Sequence, residues 1–413
     1  MQLQSRLAHF LLHGRYLDYA FAVLVIFCGS KALTFYQMQS KLWLLAYGLF
    51  FLAAALHFRR FVAQVISNKI FFAYPILCLV STIWSEVPVE SVRFGIQLVI
   101  STGIAVYIGL RLTINQIFWC TAGVFFMLSA LSVFNYGSIL FPAFDHRENF
   151  VGIYQSKTAL GHSLIIFSGI ASLIVFVLKD ISFLVRVAMF AMLIAAIWMT
   201  IISGSATASA TLGMSVFAPA TVYYLYHSSL ARALIVLILG CFVAAITFAS
   251  VANSVDPYTY ALNLMGRDPT LTGRSYLWDH GMALFWDNPI LGLGANSYWT
   301  AHSFQNSVIQ FQSLYGEGVV SFHNLVVELL VMVGPLGFLT HAAACIYAFI
   351  CCMRLGVRFD SVFGIWAAVF IALQYFTALV GTFFYKPHDL ILMLMIGLAV
   401  AARRELEVLS RRS

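Results

Sequence analysis

The sequence predicts an all-helical protein that crosses a membrane many times. Of its 413 residues, 62% are hydrophobic and only 9% are charged, whereas charged residues make up about 25% of an ordinary soluble domain. The apolar residues also fall into long runs, as membrane-spanning helices require. At about 20 residues per span, the chain has room for about twelve helices. We therefore expect one polytopic membrane domain over residues 1–413.

Twelve apolar runs give the expected spans in chain order. They lie near residues 17–33, 42–57, 70–85, 92–110, 116–135, 158–178, 186–203, 209–226, 233–250, 323–350, 361–383 and 389–402. No small-residue cleavage site follows a short apolar core at the N-terminus, so we expect the first run to be a retained helix. Most connections are short, but residues 136–157 form a moderate loop and residues 251–322 form a long one.

The distribution of basic residues predicts the orientation of these spans. With an even number of spans and the N-terminus inside, 15 Lys and Arg residues lie inside and eight lie outside. An excess of positive charge marks cytoplasmic segments, so we expect both termini in the cytoplasm and the 251–322 loop outside the membrane. The arginine-rich C-terminal tail then adjoins anionic lipid, and we expect no nucleic-acid partner.

The sequence gives no sign of a metal or cofactor site. All seven cysteines lie in apolar runs or at their ends, where they cannot form a disulfide or zinc framework in a polar loop. The first outer loop, residues 34–41, contains no carboxylate, which disfavours a metal-using oligosaccharide transferase. We expect neither a metal nor a cofactor.

A histidine stands at the outer entrance of the tenth expected span. His323 is followed by Asn324, and Gly334 and Gly337 come further along the same run. A histidine at a boundary between water and membrane can accept a proton near neutral pH, and the glycines allow another segment to approach closely. A polar cap on a helix kinked by Pro335 explains the same spacing.

An arginine, Arg274, precedes a helix-like stretch of the long loop, residues 275–286. A guanidinium beside the free amides of a helix start can clamp phosphate or pyrophosphate. A solvated arginine or a lipid-headgroup anchor is the alternative. Arg267 lies nearby, but Asp268 follows it directly and can pair with it. Trp278, on the stretch itself, can stack on a sugar or anchor the helix at the membrane surface.

Three other basic residues are candidate contacts for an anion. Arg147 and Lys157 lie in the 136–157 loop, and Arg93 lies at the outer junction between the third and fourth spans. The loop also carries carboxylates, so self-neutralisation explains Arg147 equally well. Snorkelling to the membrane surface explains Arg93.

The tenth span also contains an acidic residue, Glu328, one turn below Asn324. A charge inside a membrane is costly, so we expect Glu328 either to serve the function or to pair with a neighbouring helix. The turn at residues 203–209 consists of small and hydroxyl-bearing residues, which permit close packing of helices or form a polar surface.

Together, these motifs resemble those of the O-antigen ligase and polymerase superfamily. The pattern of His323 and Asn324, nine residues, Gly334, two residues and Gly337 is similar to the superfamily signature. Other segments more closely resemble its exopolysaccharide polymerase branch. These segments are residues 271–278, 288–294 with Trp299, 84–93 and 152–161. The resemblance covers roughly residues 80–340.

The resemblance implies a membrane-embedded, GT-C-like glycosyltransferase that inverts the sugar linkage without a metal. The donor would be an oligosaccharide on undecaprenyl pyrophosphate, presented at the periplasmic side of the bacterial inner membrane. In this family, an arginine matching Arg274 contacts the pyrophosphate and a histidine matching His323 serves the acceptor hydroxyl. Family members often carry Arg or Lys where this chain has Ala206, which leaves the second phosphate contact open. The candidate substrate-binding residues are Arg93, Arg147, Lys157, Arg267, Asn324 and Trp278.

We expect a polymerase of lipid-linked repeat units for exopolysaccharide or O-antigen. Its expected partners are the lipid-linked oligosaccharide and the bilayer, with a chain-length copolymerase as a further candidate. An O-antigen ligase, which transfers finished glycan to lipid A-core, uses the same chemistry and is the near alternative. A polysaccharide-related transporter is the alternative of a different class. It would show repeated halves and charges at the bilayer midplane, whereas the charges here gather at the outer face.

Overall fold

The computed structural model describes residues 15–32, 38–56, 58–146, 148–227, 274–301, 321–379, 381 and 383–411. Within these ranges the chain forms thirteen α-helices, and its strand pairing is limited to one isolated bridge between Phe144 and Phe150. The prediction of an all-helical fold is confirmed.

The helices cover most of the expected spans. Their bounds in chain order are α1 (Arg15–Gly29), α2 (Met38–Leu56), α3 (Phe58–Ser67), α4 (Ile70–Val80), α5 (Pro88–Arg111), α6 (Ile114–Phe134), α7 (Lys157–Phe176), α8 (Phe183–Ile202), α9 (Ala206–His227), α10 (Arg274–Asp287), α11 (Leu325–Phe359), α12 (Val362–Ala378) and α13 (Leu390–Ser410). Eleven of the twelve expected runs overlap one of these helices. The run at 233–250, Arg267 and most of the 251–322 loop lie outside the described residues.

Several of these helices have the length and hydropathy of membrane spans. Six described helices qualify, and a bent pair over residues 61–67 and 70–83 raises the number to seven. The protein is therefore a multi-pass membrane protein, while the count of twelve spans stays a prediction.

One helix is absent from the sequence prediction. The ten residues of α3 include Arg59 and Arg60, which the sequence reasoning placed in an inner loop. The chain bends by 92° between residues 61–67 and 70–83. A short amphipathic helix with basic residues is typical of a segment that lies along a membrane surface.

The last helix, α13, is the centre of the bundle. Every residue from 390 to 402 is buried, and the helix packs against α5 and α11. A Cβ atom at Gly109 of α5 would collide with the carbonyl oxygen of Gly397, so this close crossing requires glycine. Small residues at such crossings are typical of helix packing in membranes.

Charged side chains close the end of the bundle that the sequence predicts to be cytoplasmic. Arg404 donates to carbonyl oxygens at the end of α5, where a cation also opposes the negative end of the helix dipole. Glu405 accepts the backbone N–H of Ile114 at 2.7 Å. Arg111 pairs with Asp18 at 2.9 Å. These contacts fix α13 to the α5–α6 turn and α1 to α5.

Candidate active site

A break in α11 provides the frame of the site. Val333 and Gly334 leave helical geometry, and Gly334 has a φ of +66°, which glycine adopts at little cost. The following residue is proline and lacks the N–H that would continue the helix. Two carbonyl oxygens of α11 instead accept the backbone N–H groups of Leu293 and Gly294 at 2.8 and 2.9 Å. Gly334 therefore receives a loop, with Ile290 and Leu291 as its nearest neighbours, whereas Gly337 faces Val333 of its own helix and Leu77 of α4.

The same loop is fixed to the start of α5. Ala295 donates its backbone N–H to Ser81 at 2.9 Å and accepts the hydroxyl of Ser91 at 2.7 Å. The indole of Trp84 donates to the carbonyl oxygen of Leu291 at 3.1 Å. Two segments that the sequence singled out separately, residues 84–93 and 288–294, are thus parts of one framework.

Glu328 ties the chain before α11 to that helix. Its side chain is buried, with the residue 1% exposed. One carboxylate oxygen accepts the indole N–H of Trp299 at 2.6 Å, and the other accepts the backbone N–H of Phe322 at 2.9 Å. Because Phe322 directly precedes His323, this carboxylate fixes the position from which the imidazole extends.

Aromatic residues from α10 and the following loop surround this point. The indole of Trp278 donates to the carbonyl oxygen of Phe322 at 3.0 Å. Tyr298 stacks on the Phe322 ring with centroids 5.4 Å apart, and its hydroxyl contacts Nε2 of His280 at 2.6 Å. The polar atom of Trp278 therefore supports the backbone beside His323, and a role in sugar stacking stays a prediction.

The backbone of His323 has a left-handed conformation, with a φ of +51°. This region is uncommon for residues other than glycine and persists where surrounding contacts hold it. On one side of His323, the backbone N–H of Phe322 donates to the carboxylate of Glu328. On the other, the side chain of Asn324 caps α11 by accepting backbone N–H groups at 2.9 and 3.3 Å. Asn324 thus orients the start of the helix, and its contact with substrate stays a prediction.

The structure joins the segments that carry Arg274 and His323, because Trp278, one turn along α10 from Arg274, donates to the carbonyl oxygen of the residue before His323. Burial lowers the pKa of His323 to about 4, and the positive charges of Arg274 and Lys386 add to this effect. Burial also lowers the pKa of Arg274. The imidazole is therefore neutral at neutral pH.

Sequence reasoning did not select Lys386 as a site residue. It lies in residues 381–389, between α12 and α13, and its Nζ is 5.0 Å from the centroid of the Tyr385 ring. Burial lowers the pKa of Lys386 and the charge of Glu328 opposes this effect, as Asp389 also does. The one available signal was its location at the outer end of the eleventh expected span.

The other predicted basic residues have different surroundings. Arg93 is exposed and pairs with Glu90 at 3.6 Å. Lys157 donates to Asn149 at 3.4 Å at the start of α7. Neither is among the charges that shift the pKa of His323. Arg147, like Arg267, lies outside the described residues.

A small cavity opens next to the Lys386 loop. Its lining includes Lys31 at the end of α1, His162 on α7, and Phe383 and Asp389 of the loop. The ring centroids of His162 and Phe383 are 4.2 Å apart. Over the described ranges, no group of three or more His, Cys, Asp or Glu side chains is arranged to hold a metal ion.

Comparison with known proteins agrees with the resemblance drawn from the motifs. The model of the O-antigen ligase family matches residues 150–342 of this multi-pass membrane protein. It is also 28% identical over 319 residues to the exopolysaccharide production protein ExoQ of Rhizobium meliloti (strain 1021), an alignment that covers 73% of this chain and 69% of that protein. The predicted resemblance to this superfamily is confirmed. The matched family domain contains Arg274, His323 and Glu328, whereas Lys386 lies beyond it.

Proposed function

We propose that the protein is a membrane glycosyltransferase that polymerises lipid-linked oligosaccharide repeat units for an exopolysaccharide. The observation that carries this proposal is the hydrogen bond from Trp278, on the helix that begins at Arg274, to the carbonyl oxygen of Phe322, which directly precedes His323. It joins two segments from distant parts of the chain. The O-antigen ligase family domain supports the class of reaction. The similarity to a protein of exopolysaccharide production supports the product.

The proposed reaction joins a growing chain to an acceptor sugar. The acceptor hydroxyl oxygen forms a bond to the anomeric carbon of the donor from the face opposite the leaving group, so the linkage inverts. The bond from that carbon to the pyrophosphate oxygen breaks, and undecaprenyl pyrophosphate leaves. The hydroxyl proton passes to the imidazole of His323. General base catalysis of this kind typically contributes about 10² to 10⁴ in rate.

Arg274 stabilises the leaving group in this mechanism. Negative charge grows on the pyrophosphate as the bond breaks, so a fixed cation that binds more strongly as charge develops lowers the barrier. A half-buried guanidinium is suited to this role because it stays charged and offers two parallel donors to phosphate oxygens. This chain's own side chains can supply the stabilisation.

Donor binding also adjusts the strength of the base. In the free enzyme, the pKa of His323, lowered to about 4, makes the imidazole a weak proton acceptor. A bound pyrophosphate places negative charge beside Arg274 and Lys386 and offsets their effect, which raises the pKa of the imidazole. His323 therefore becomes a stronger base when the donor is present.

The proposed site lies on the periplasmic side of the bacterial inner membrane. Arg274 lies within, and His323 directly follows, the long segment that the distribution of basic residues predicts to be outside. An O-antigen ligase is the second candidate function, because the matched family carries that description. In that case the acceptor would be lipid A-core instead of another repeat unit.

Reconstitution with purified substrate tests the proposal. The protein is placed in nanodiscs with undecaprenyl-pyrophosphate-linked repeat units, and the products are separated by size. A ladder of products without any second acceptor supports a polymerase. Product that appears only after lipid A-core is added identifies a ligase. The absence of any covalent product under both conditions would contradict the glycosyltransferase proposal.

A further inference from the structure

We propose that Lys386 is the second cation that binds the donor pyrophosphate, in addition to Arg274. This inference rests on the proposed function and assigns the phosphate contact that Ala206 leaves open. It is supported by the way the Lys386 loop is anchored, by the hydrogen bonds of the nearby carboxylates and by the charge of the ligand.

The loop that carries Lys386 is anchored to the helices of the site. The carbonyl oxygen of Phe384 lies 2.7 Å from Nε2 of His341 on α11. The carbonyl oxygen of Tyr385 accepts the hydroxyl of Tyr74 on α4 at 3.1 Å. Within the loop, the N–H of Phe384 donates to Asp389 at 2.8 Å. The part of α11 that follows its break therefore fixes the backbone beside Lys386.

His388 anchors the far side of this loop. Its backbone N–H donates to the hydroxyl of Ser101 on α5 at 3.1 Å. Its ring packs against Trp43 on α2, with centroids 4.5 Å apart, and Nε2 contacts the hydroxyl of Tyr47. Three more groups thus limit the movement of the loop, and a lysine on a fixed loop can serve as a preorganised charge.

The carboxylates of Glu328 and Asp389 stabilise the positive charge of Lys386 but direct their hydrogen bonds to N–H groups. Both oxygens of Glu328 are occupied by the N–H groups of Trp299 and Phe322. Both oxygens of Asp389 accept backbone N–H groups, one from Phe384 and the other at the start of α13. In the part of the chain that the structure describes, neither acid makes a direct ion pair with Lys386. The ammonium can therefore bind an anion that enters the site.

The ligand requires a second positive charge. A sugar diphosphate lipid carries one negative charge on each phosphate group, and a single guanidinium pairs well with one of them. Lysine is a common phosphate ligand that acts as a point charge. Of the alternatives in the described residues, Arg93 is already paired with Glu90 and is exposed. Lys157 is bonded to Asn149.

Binding of inorganic pyrophosphate to the full-length protein in nanodiscs tests the inference without requiring turnover. Calorimetric titration compares wild type with Lys386→Met, Lys386→Arg and Lys41→Met. Lys41 is an exposed lysine on α2 and serves as the matched control. We expect Lys386→Met to weaken binding on the order of 10-fold or more, Lys386→Arg to retain most of it, and Lys41→Met to leave it unchanged. Wild-type binding that is absent, or that Lys386→Met leaves unchanged, would overturn the inference.

Turnover gives the second readout. In the polymerisation assay, Lys386→Met should lower kcat/KM on the order of 100-fold, and Lys386→Arg should restore most of it. Loss of the lysine charge should also raise the pKa of His323 and move the acid limb of the pH profile to higher pH. The charges facing these two groups are those of Arg274, Glu328, Lys31 and Asp389.

The outcomes separate this inference from the proposed function. If wild type polymerises while Lys386→Met binds and polymerises normally, Lys386 is not the second cation and the proposed function stands. The same conclusion follows if Lys157→Met, and not Lys386→Met, loses pyrophosphate binding and polymerisation. If pyrophosphate binding depends on Lys386 but wild type forms no product, the anion site stands and the proposed reaction is wrong. Monodispersity in detergent shows whether a variant is folded. If Lys386→Met fails to fold, Lys386→Arg is used instead: wild-type pyrophosphate binding by Lys386→Arg supports the inference, and loss of binding by a folded Lys386→Arg overturns it.

Discussion

Glu328→Gln isolates the contribution of one carboxylate to the placement of His323. The wild-type side chain accepts two N–H groups, from Trp299 at 2.6 Å and from Phe322 at 2.9 Å. Glutamine has nearly the same shape, but only one of its terminal atoms can accept. Its amide N–H₂ group must therefore face one of the two donors, and the hydrogen bond there is lost.

The expected cost follows from the type of bond that is lost. A hydrogen bond to a charged group contributes about 1.5–3 kcal/mol, and an unsatisfied buried donor costs a similar amount. If this energy holds the strained backbone of His323 in place, its loss reduces the population of the active conformation about 10- to 150-fold. The substitution also removes the negative charge of Glu328, which acts on Lys386. We expect this loss to lower kcat as well. We expect kcat to fall within this range.

The assay is the rate of ladder formation from lipid-linked repeat units at saturating donor. Glu405→Gln is the matched control, because Glu405 also accepts a backbone N–H, at 2.7 Å, but at the opposite end of the bundle. The control should keep near-normal turnover. Equal turnover in Glu328→Gln and wild type would refute the argument that this carboxylate positions His323.

Three further predictions concern the reacting groups. Arg274→Lys should lose most activity while the protein still inserts, because a point charge does not replace a planar two-pronged donor; near-normal polymer in a gel of the products would count against the clamp. His323→Ala should reduce transfer on the order of 100-fold or more, and unchanged single-turnover rates would remove His323 as the base. Because the base must be neutral and its pKa is lowered to about 4, wild-type kcat/KM should hold steady from neutral pH down to mildly acidic pH and fall as the pH passes through about 4; an acid limb near the ordinary histidine value would contradict this.

Much of the helical framework could be predicted from local composition. A membrane span requires about 20 apolar residues, and this property is visible without tertiary contacts. The amphipathic helix α3 escaped detection because Arg59 and Arg60 resemble a charged inner loop in the sequence. The position of the break in α11 was indicated by Gly334 and Pro335. The loop that enters the break could not be predicted, because its residues Leu293 and Gly294 bond to the carbonyl groups of Val331 and Met332, which are distant in the sequence.

The candidate site was predicted only in part. Motifs led to Arg274 and His323, and the hydrogen bond from Trp278 to Phe322 joins the segments that carry them. Lys386 has no such motif, and its importance depends on tertiary contacts with α11 and α4. The polar groups of Trp278 and Asn324 are engaged with backbone atoms. Sequence alone cannot distinguish this use from substrate binding, since the same donors and acceptors serve both.

The most direct test of the central claim is an experimental structure of the inactive His323→Ala variant with a lipid-linked repeat unit bound. We predict that the pyrophosphate lies within hydrogen-bonding distance of the Arg274 guanidinium and that the anomeric carbon faces position 323. A donor bound with its pyrophosphate away from Arg274, or with position 323 on the far side of an intervening helix, would contradict the account.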